Sequence, residues 1–116
     1  YDVIASSMLQ RTQPLMIVIT TAGFDLQSPC HDMYMLGVEI LEGIKDDDTF
    51  LPVIFQLDED DDWKDMENTE VWKKCQPNLG VTVTVDAMRA EVKKALNDST
   101  AINGVLTKTF NKWVSS

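Results

Sequence analysis

Residues 15–23 read Leu-Met-Ile-Val-Ile-Thr-Thr-Ala-Gly (LMIVITTAG), and this stretch decides how the 116-residue chain is expected to fold. Leu15 to Ile19 are apolar without interruption, and Ile17, Val18 and Ile19 are β-branched. Such a run suits a strand buried on both faces, as in a parallel sheet. Thr20, Thr21, Ala22 and Gly23 end it in small residues, where backbone can turn tightly or approach a ligand. Before it, VIASSMLQRT sets Ile4, Met8 and Leu9 on one helical face, and Pro14 stops that helix because its nitrogen cannot donate. After it, Ser28-Pro29 is a helix start: a hydroxyl cap followed by proline in the first turn. Met33, Leu36, Ile40 and Ile44 follow at helical spacing, with Gly43 near the end.

KDDD (residues 45–48) is a solvated turn, and FLPVIFQLD (residues 50–58) is a second apolar run with strand character. Pro52 within it argues for an edge strand, or for a strand that begins after it. Strand, crossover helix and strand make a β-α-β unit, so the first half is expected to be α/β with a partial parallel sheet. Two strands are too few for an independent sheet. Either further strands belong to the same protein, or two chains pair through an exposed apolar edge.

The second half reads as helical. Asn68 or Thr69 can cap a short helix carrying Val71 and Trp72, stopped by Pro77, and PNLG (residues 77–80) is a turn. Thr84 and Asp86 open a helix with Met88, Val92 and Leu96 at four-residue spacing. Asp98-Ser99 opens another with Ile102, Leu106, Phe110 and Trp113. Gly104 inside it costs about 1 kcal/mol against alanine.

The formal net charge is −9. Residues 1–70 hold sixteen acids and three bases, and residues 71–116 hold three acids and seven bases. Whole-chain electrostatics therefore do not favour DNA or an anionic membrane. No apolar run approaches the ~18 residues of a transmembrane helix, and no secretory leader opens the sequence. Cys30 and Cys75 stand apart without a CxxC and read as reduced thiols.

The acidic stretch LDEDDDW (residues 57–63) invites two chemical readings. A calcium loop starting at Asp58 would need glycine at its sixth position and glutamate at its twelfth; Trp63 and Thr69 stand there. An apolar strand delivering Asp58-Glu59 to magnesium and water would need a GxxxxGK[ST] loop, and none of the five glycines precedes a lysine. The stretch is expected to be a solvated connection whose acids suit a following helix. One histidine, His31, and no cysteine pair make no zinc site. Cys30 and His31 diverge by about 100° on a helix and cannot form a nucleophile–base dyad. Trp63, Trp72 and Trp113 have no basic neighbours arranged as a base-stacking platform, so burial is expected. The functional candidate from the residues alone is TTAGF (residues 20–24), polar groups at a strand's carboxyl end where open α/β sheets bind ligands. A plain cap-and-turn role for the same residues stays open beside it.

RTQPLMIVITTAGF, PVIFQLDEDDDWKD, WKKCQPNLG and FNKWVSS together, in this order, resemble the large terminase subunit of tailed bacteriophages and prophages. Cys75-Gln76 and Met66 depart from the family's usual residues. The resemblance implies a P-loop-type ATPase core followed by a helical subdomain. Residues 1–62 would be the end of the ATPase core, and residues 63–116 a helical linker leading toward a nuclease domain. It implies that Thr20, Thr21 and Gly23 match a coupling motif relaying the state of the γ-phosphate, with Arg11 a candidate charge sensor. The phosphate loop, the magnesium acids and the nuclease aspartates would lie in other parts of the parent, so no complete catalytic or metal set is expected here. The parent would use ATP and magnesium, act on double-stranded DNA with the portal and small terminase subunit, and work in the bacterial cytoplasm. The piece itself is expected to be inactive and to self-associate. The rival expectation is a free-standing acidic α/β interaction module without catalysis.

Overall fold

A computed structural model describes residues 1–10 and 12–115. The helices are α1 (Asp2–Ser7), α2 (Pro29–Leu41), α3 (Val85–Asn97) and α4 (Ile102–Lys108), with 3₁₀ turns at Met8–Gln10, Thr69–Lys74 and Ser99–Ala101. The expected α/β fold is not what forms. Among the described residues there is no strand ladder and no parallel sheet, and the single bridge joins Leu79 of the PNLG turn to Val83 just before α3. Nor do the described residues form a P-loop core.

The apolar runs are still extended, without a turn or bend from residue 14 to 23 or from 50 to 58. They do not pair with each other; where they end, the side chain of Asn111 stands between them, accepting from the Ala22 N–H and donating to the Phe55 carbonyl. Along the second run, exposure alternates with period two: Leu51, Val53 and Phe55 face out, while Pro52, Ile54 and Gln56 are half-buried. Pro52 and Ile54 pack where α2 carries Gly37. A Cβ on Gly37 would lie 3.0 Å from the Pro52 Cβ, so a larger residue there would push the second run away from α2 by a few tenths of an ångström. Tyr34, one turn earlier on α2, donates to Gln56 Oε1 across the same contact.

The N-terminal signals of α2 and α3 act as the sequence implies. Ser28 Oγ accepts from the His31 N–H at 3.2 Å, and Thr84 Oγ1 accepts from the Ala87 N–H at 3.0 Å. Asp98 caps the turn before α4 by accepting from the Thr100 N–H at 2.9 Å.

The core lies almost wholly in residues 63–110. Trp63, Trp72, Cys75, Leu79, Met88, Val92, Ala95, Val105, Leu106 and Phe110 form one buried cluster. Trp72, Val92 and Phe110 are fully sealed, and the Trp72 indole N–H donates to the Trp63 carbonyl at 3.1 Å, which satisfies its one polar group. The α3 stripe runs through Met88, Val92 and Ala95. Leu96, expected inside, is half exposed, because α4 crosses on the Ala95 side. Among the described residues of the N-terminal half, only Ala22 and Gly37 are buried. That half is therefore held by specific bonds rather than by a core of its own.

Candidate functional site

The Thr20–Gly23 segment is where the two halves meet. Thr20 and Thr21 are exposed; Ala22 is buried and Gly23 is half-buried. The Thr20 hydroxyl sits 3.3 Å from the Thr21 carbonyl and 3.4 Å from Cys30 Sγ at the start of α2. It can thus bond its own backbone, or swing away to another acceptor at small cost. Gly23 approaches the C-terminal segment, its carbonyl accepting from the Val114 N–H at 3.3 Å. The Trp113 ring lies 3.6 Å from where a Gly23 Cβ would sit. Arg11, the candidate charge sensor, lies outside the described residues.

Asn111 organises this meeting point. Its Oδ1 accepts from the Ala22 N–H at 2.8 Å, and its Nδ2 donates to the Phe55 carbonyl at 2.8 Å. One carboxamide thereby joins the residue after Thr21 to the end of the second extended run. Asn111 has φ +52, the left-handed conformation that asparagine tolerates better than most residues. This turn ends α4 and redirects the chain, so Phe110 points into the helical core while Asn111 points into the N-terminal half. Trp113 then packs edge-on against His31, with ring centroids 4.8 Å apart, and beside Tyr34 at 5.8 Å. His31 is therefore half-buried under an indole rather than a free surface group. Trp113, expected on the helix with Phe110, lies beyond its end. Sequence reasoning missed Asn111 as a contact. The only signal was its place in FNKWVSS, directly after the last apolar residue of a helical pattern, where a left-handed terminator belongs.

The acidic run folds back on itself. Asp58, Asp60 and Asp61 bring carboxylate oxygens within 4.8 Å of one another. Their counter-charge is Lys74, whose ammonium lies 2.7 Å from Asp58 and 2.9 Å from Asp61. Lys74's hydrogen bond, with help from the Asp58 N–H, holds the Asp61 carboxyl below its ordinary range. Both carboxylates raise the Lys74 ammonium well above its own. The cluster ties the acidic connection to the 3₁₀ turn that carries Trp72. Burial pushes the nearby Cys75 thiol up to about 11, which marks it as packing rather than a nucleophile.

The family model described as "Terminase large subunit, endonuclease domain" matches residues 44–116. The chain belongs to the terminase large subunit family. It is also similar to Protein YmfN of Escherichia coli (strain K12), at 35% identity over all 116 residues, and it spans 25% of that relative's length. No solved structure matches. The family match begins before the acidic run and takes in the whole helical core together with Asn111 and Trp113. No helix among the described residues is long and apolar enough to cross a membrane.

Proposed function

We propose that this terminase segment works as part of a longer large subunit, passing a nucleotide-driven change at Thr20–Thr21 to the helical unit of residues 63–110. In that role the exposed Thr20 and Thr21 hydroxyls face the γ-phosphate or the attacking water in one nucleotide state and their own backbone in the other. ATP and magnesium are held by other parts of the parent. The mechanical output acts on double-stranded DNA, with the portal and small terminase subunit as partners of the whole motor.

The observation that carries the reading is the Ala22–Asn111 hydrogen bond at 2.8 Å, one residue beyond Thr21. A displacement of the Thr21 peptide by an ångström breaks a bond of that length, or drags Asn111 and the end of α4 with it. Because interiors are close-packed, a pull on Asn111 reaches Phe110, which is sealed in the helical core.

The experiment is Thr21→Ala in the full-length parent, with ATP hydrolysis and DNA packaging measured side by side. Slowed hydrolysis, or hydrolysis that no longer drives packaging, is the expected result. Normal rates of both would refute the coupling role.

A further inference from the structure

Helix α3 turns a second face to solvent, opposite its core stripe. At about 100° per residue, Met88, Val92 and Ala95 share one side of the helix. Arg89, Ala90, Lys93, Lys94 and Asn97 fall on the other side, and all five are exposed. Arg89 and Lys93 are one turn apart, about 6 Å along the axis. Like charges at that spacing cost a helix about 0.2–0.5 kcal/mol. Lys93 and Lys94 suit the C-terminal end of the helix dipole, but Arg89 lies too far from that end to gain from it. Among the described residues, neither Lys93 nor Lys94 has an acid within ion-pair reach, although the chain holds nineteen acids to ten bases. The acids nearest in sequence are engaged: Glu91 accepts from the Thr109 hydroxyl at 3.3 Å, and Asp98 caps the turn before α4.

We propose that this face is where the segment lies against double-stranded DNA, with Arg89, Lys93 and Lys94 on phosphates and Asn97 donating to a backbone oxygen. It rests on the reading that the parent acts on DNA, and adds which surface of this segment meets it. Arg89 is held in place for the contact. Its Nε and Nη2 each lie 3.4 Å from the Met66 carbonyl, and its Nη1 is 3.6 Å from Asp86. Ala90 sits between the cations, in a notch of about 300 Å³ that Met66, Asp86, Arg89 and Lys93 line with it. A methyl group there lets a phosphate approach the helix between Arg89 and Lys93.

Two observations favour this partner over a protein. The face has no apolar residue larger than alanine, whereas protein interfaces are depleted in lysine and centre on aromatic or other large anchors. The bases are also segregated, with seven bases and three acids in residues 71–116. The net charge of −9 does not decide a local contact, because exposed charges more than about 10 Å away are largely screened at 0.1 M salt. The acids close by are Asp86, at the start of the face, and Asp65 and Glu67, which flank the Met66 carbonyl that holds Arg89. They confine the basic stretch to residues 89–97 and keep the contact weak, as movement along DNA requires.

The test is fluorescence anisotropy of a labelled DNA duplex of arbitrary sequence, titrated with the full 116-residue chain at salt from about 50 to about 200 mM. A Kd of about 10⁻⁶–10⁻⁴ M is expected, with log K falling against log salt at a slope of about −2.7 for three phosphate contacts. Lys93→Gln and Lys94→Gln together should flatten the slope to about −0.9, with unchanged circular dichroism because both side chains are exposed. Asp86→Asn, which removes the acid from the face, should tighten binding. Lys45→Gln, a base of the N-terminal half, should bind as the wild type does. So should Thr21→Ala, which separates this contact from the coupling role. No binding at about 1 mM protein, a slope unmoved by the lysine pair, or equal weakening by Lys45→Gln would each overturn the proposal. Displacement of the duplex by polyglutamate as readily as by unlabelled duplex would assign the face to an acidic protein instead, and overturn it too.

Discussion

Replacing Asn111 separates the bonds that hold the N-terminal half from the core that folds the rest. In Asn111→Ala, the Ala22 N–H loses its acceptor inside a buried residue, which costs about 1–3 kcal/mol. The Phe55 carbonyl also loses its donor, but Phe55 is half exposed and water replaces the bond. Alanine at φ +52 adds roughly 1–2 kcal/mol of backbone strain. The sum is about 3 kcal/mol, on the order of a hundredfold in the equilibrium between docked and undocked N-terminal half. Asn111→Gly loses the same bonds without the strain, so it should cost roughly 1 kcal/mol less.

This loss should not appear as global unfolding, because the buried cluster of residues 63–110 contains none of the broken contacts. The assay is therefore local: hydrogen exchange at the Ala22 amide, together with Trp113 fluorescence, which reports its packing on His31 and Tyr34. Ala22 should exchange on the order of a hundredfold faster in Asn111→Ala and clearly less so in Asn111→Gly. Asn111→Asp keeps an acceptor for Ala22 but turns a carboxylate oxygen toward the Phe55 carbonyl. Its protonated form can donate there, so the folded-state pKa is raised. Docking in that variant should be best below the ordinary carboxylate range and weaken as pH rises through it. Ala22 exchange within threefold of wild type in Asn111→Ala, or equal losses in the alanine and glycine variants, would refute this account of what holds the halves together.

Phe110→Ala should destabilise the helical unit by about 3–5 kcal/mol, since a sealed aromatic leaves a cavity among Trp63, Trp72 and the α3–α4 contact; urea titration followed by circular dichroism checks it, and a loss below about 1 kcal/mol contradicts the core described here. Lys74→Met should change the acid limb of stability. Because Lys74 depresses the Asp61 pKa, its contribution is present above the unfolded carboxylate value of about 3.9 and is lost as pH falls through the lower folded value. The gap between wild type and Lys74→Met in denaturation midpoint should therefore close on acidification; a gap unchanged down to about pH 2 would remove the Asp58–Lys74–Asp61 clamp from the stability account. Cys75, with its thiol near 11 and its side chain buried, should resist alkylation at pH 8 by at least about a hundredfold relative to an ordinary thiol until the protein is unfolded, which mass spectrometry of labelled peptides reads directly.

The parts legible in the sequence are those where one residue type answers one local demand. A hydroxyl before proline capped α2, Thr84 capped α3, and three tryptophans with no basic residues arranged as a stacking platform went to packing, two of them into the core. The acidic run was read as a solvated connection, and in the structure Asp58, Glu59, Asp60 and Asp62 are exposed, with Lys74 paired to Asp58 and Asp61. The family, too, was legible from four short blocks in order.

The sheet was not legible, because strand character and strand pairing are different properties. LMIVITTAG and FLPVIFQLD have every local feature of strands, and both are extended, yet pairing depends on what stands beside them. A short-range pattern cannot report that an asparagine about ninety residues downstream occupies the position between them. The clue available was weak: FNKWVSS puts a residue tolerant of the left-handed conformation where α4 must stop, which fixes a turn but not where its side chain reaches. Thr20 and Thr21 stood out as polar ends of an apolar run, but their exposure is shared by many loop residues. What distinguishes them is the next residue, Ala22, whose buried amide is bound to the far end of the chain. That bond links residues 89 positions apart, and no pattern of neighbouring residue types can report it.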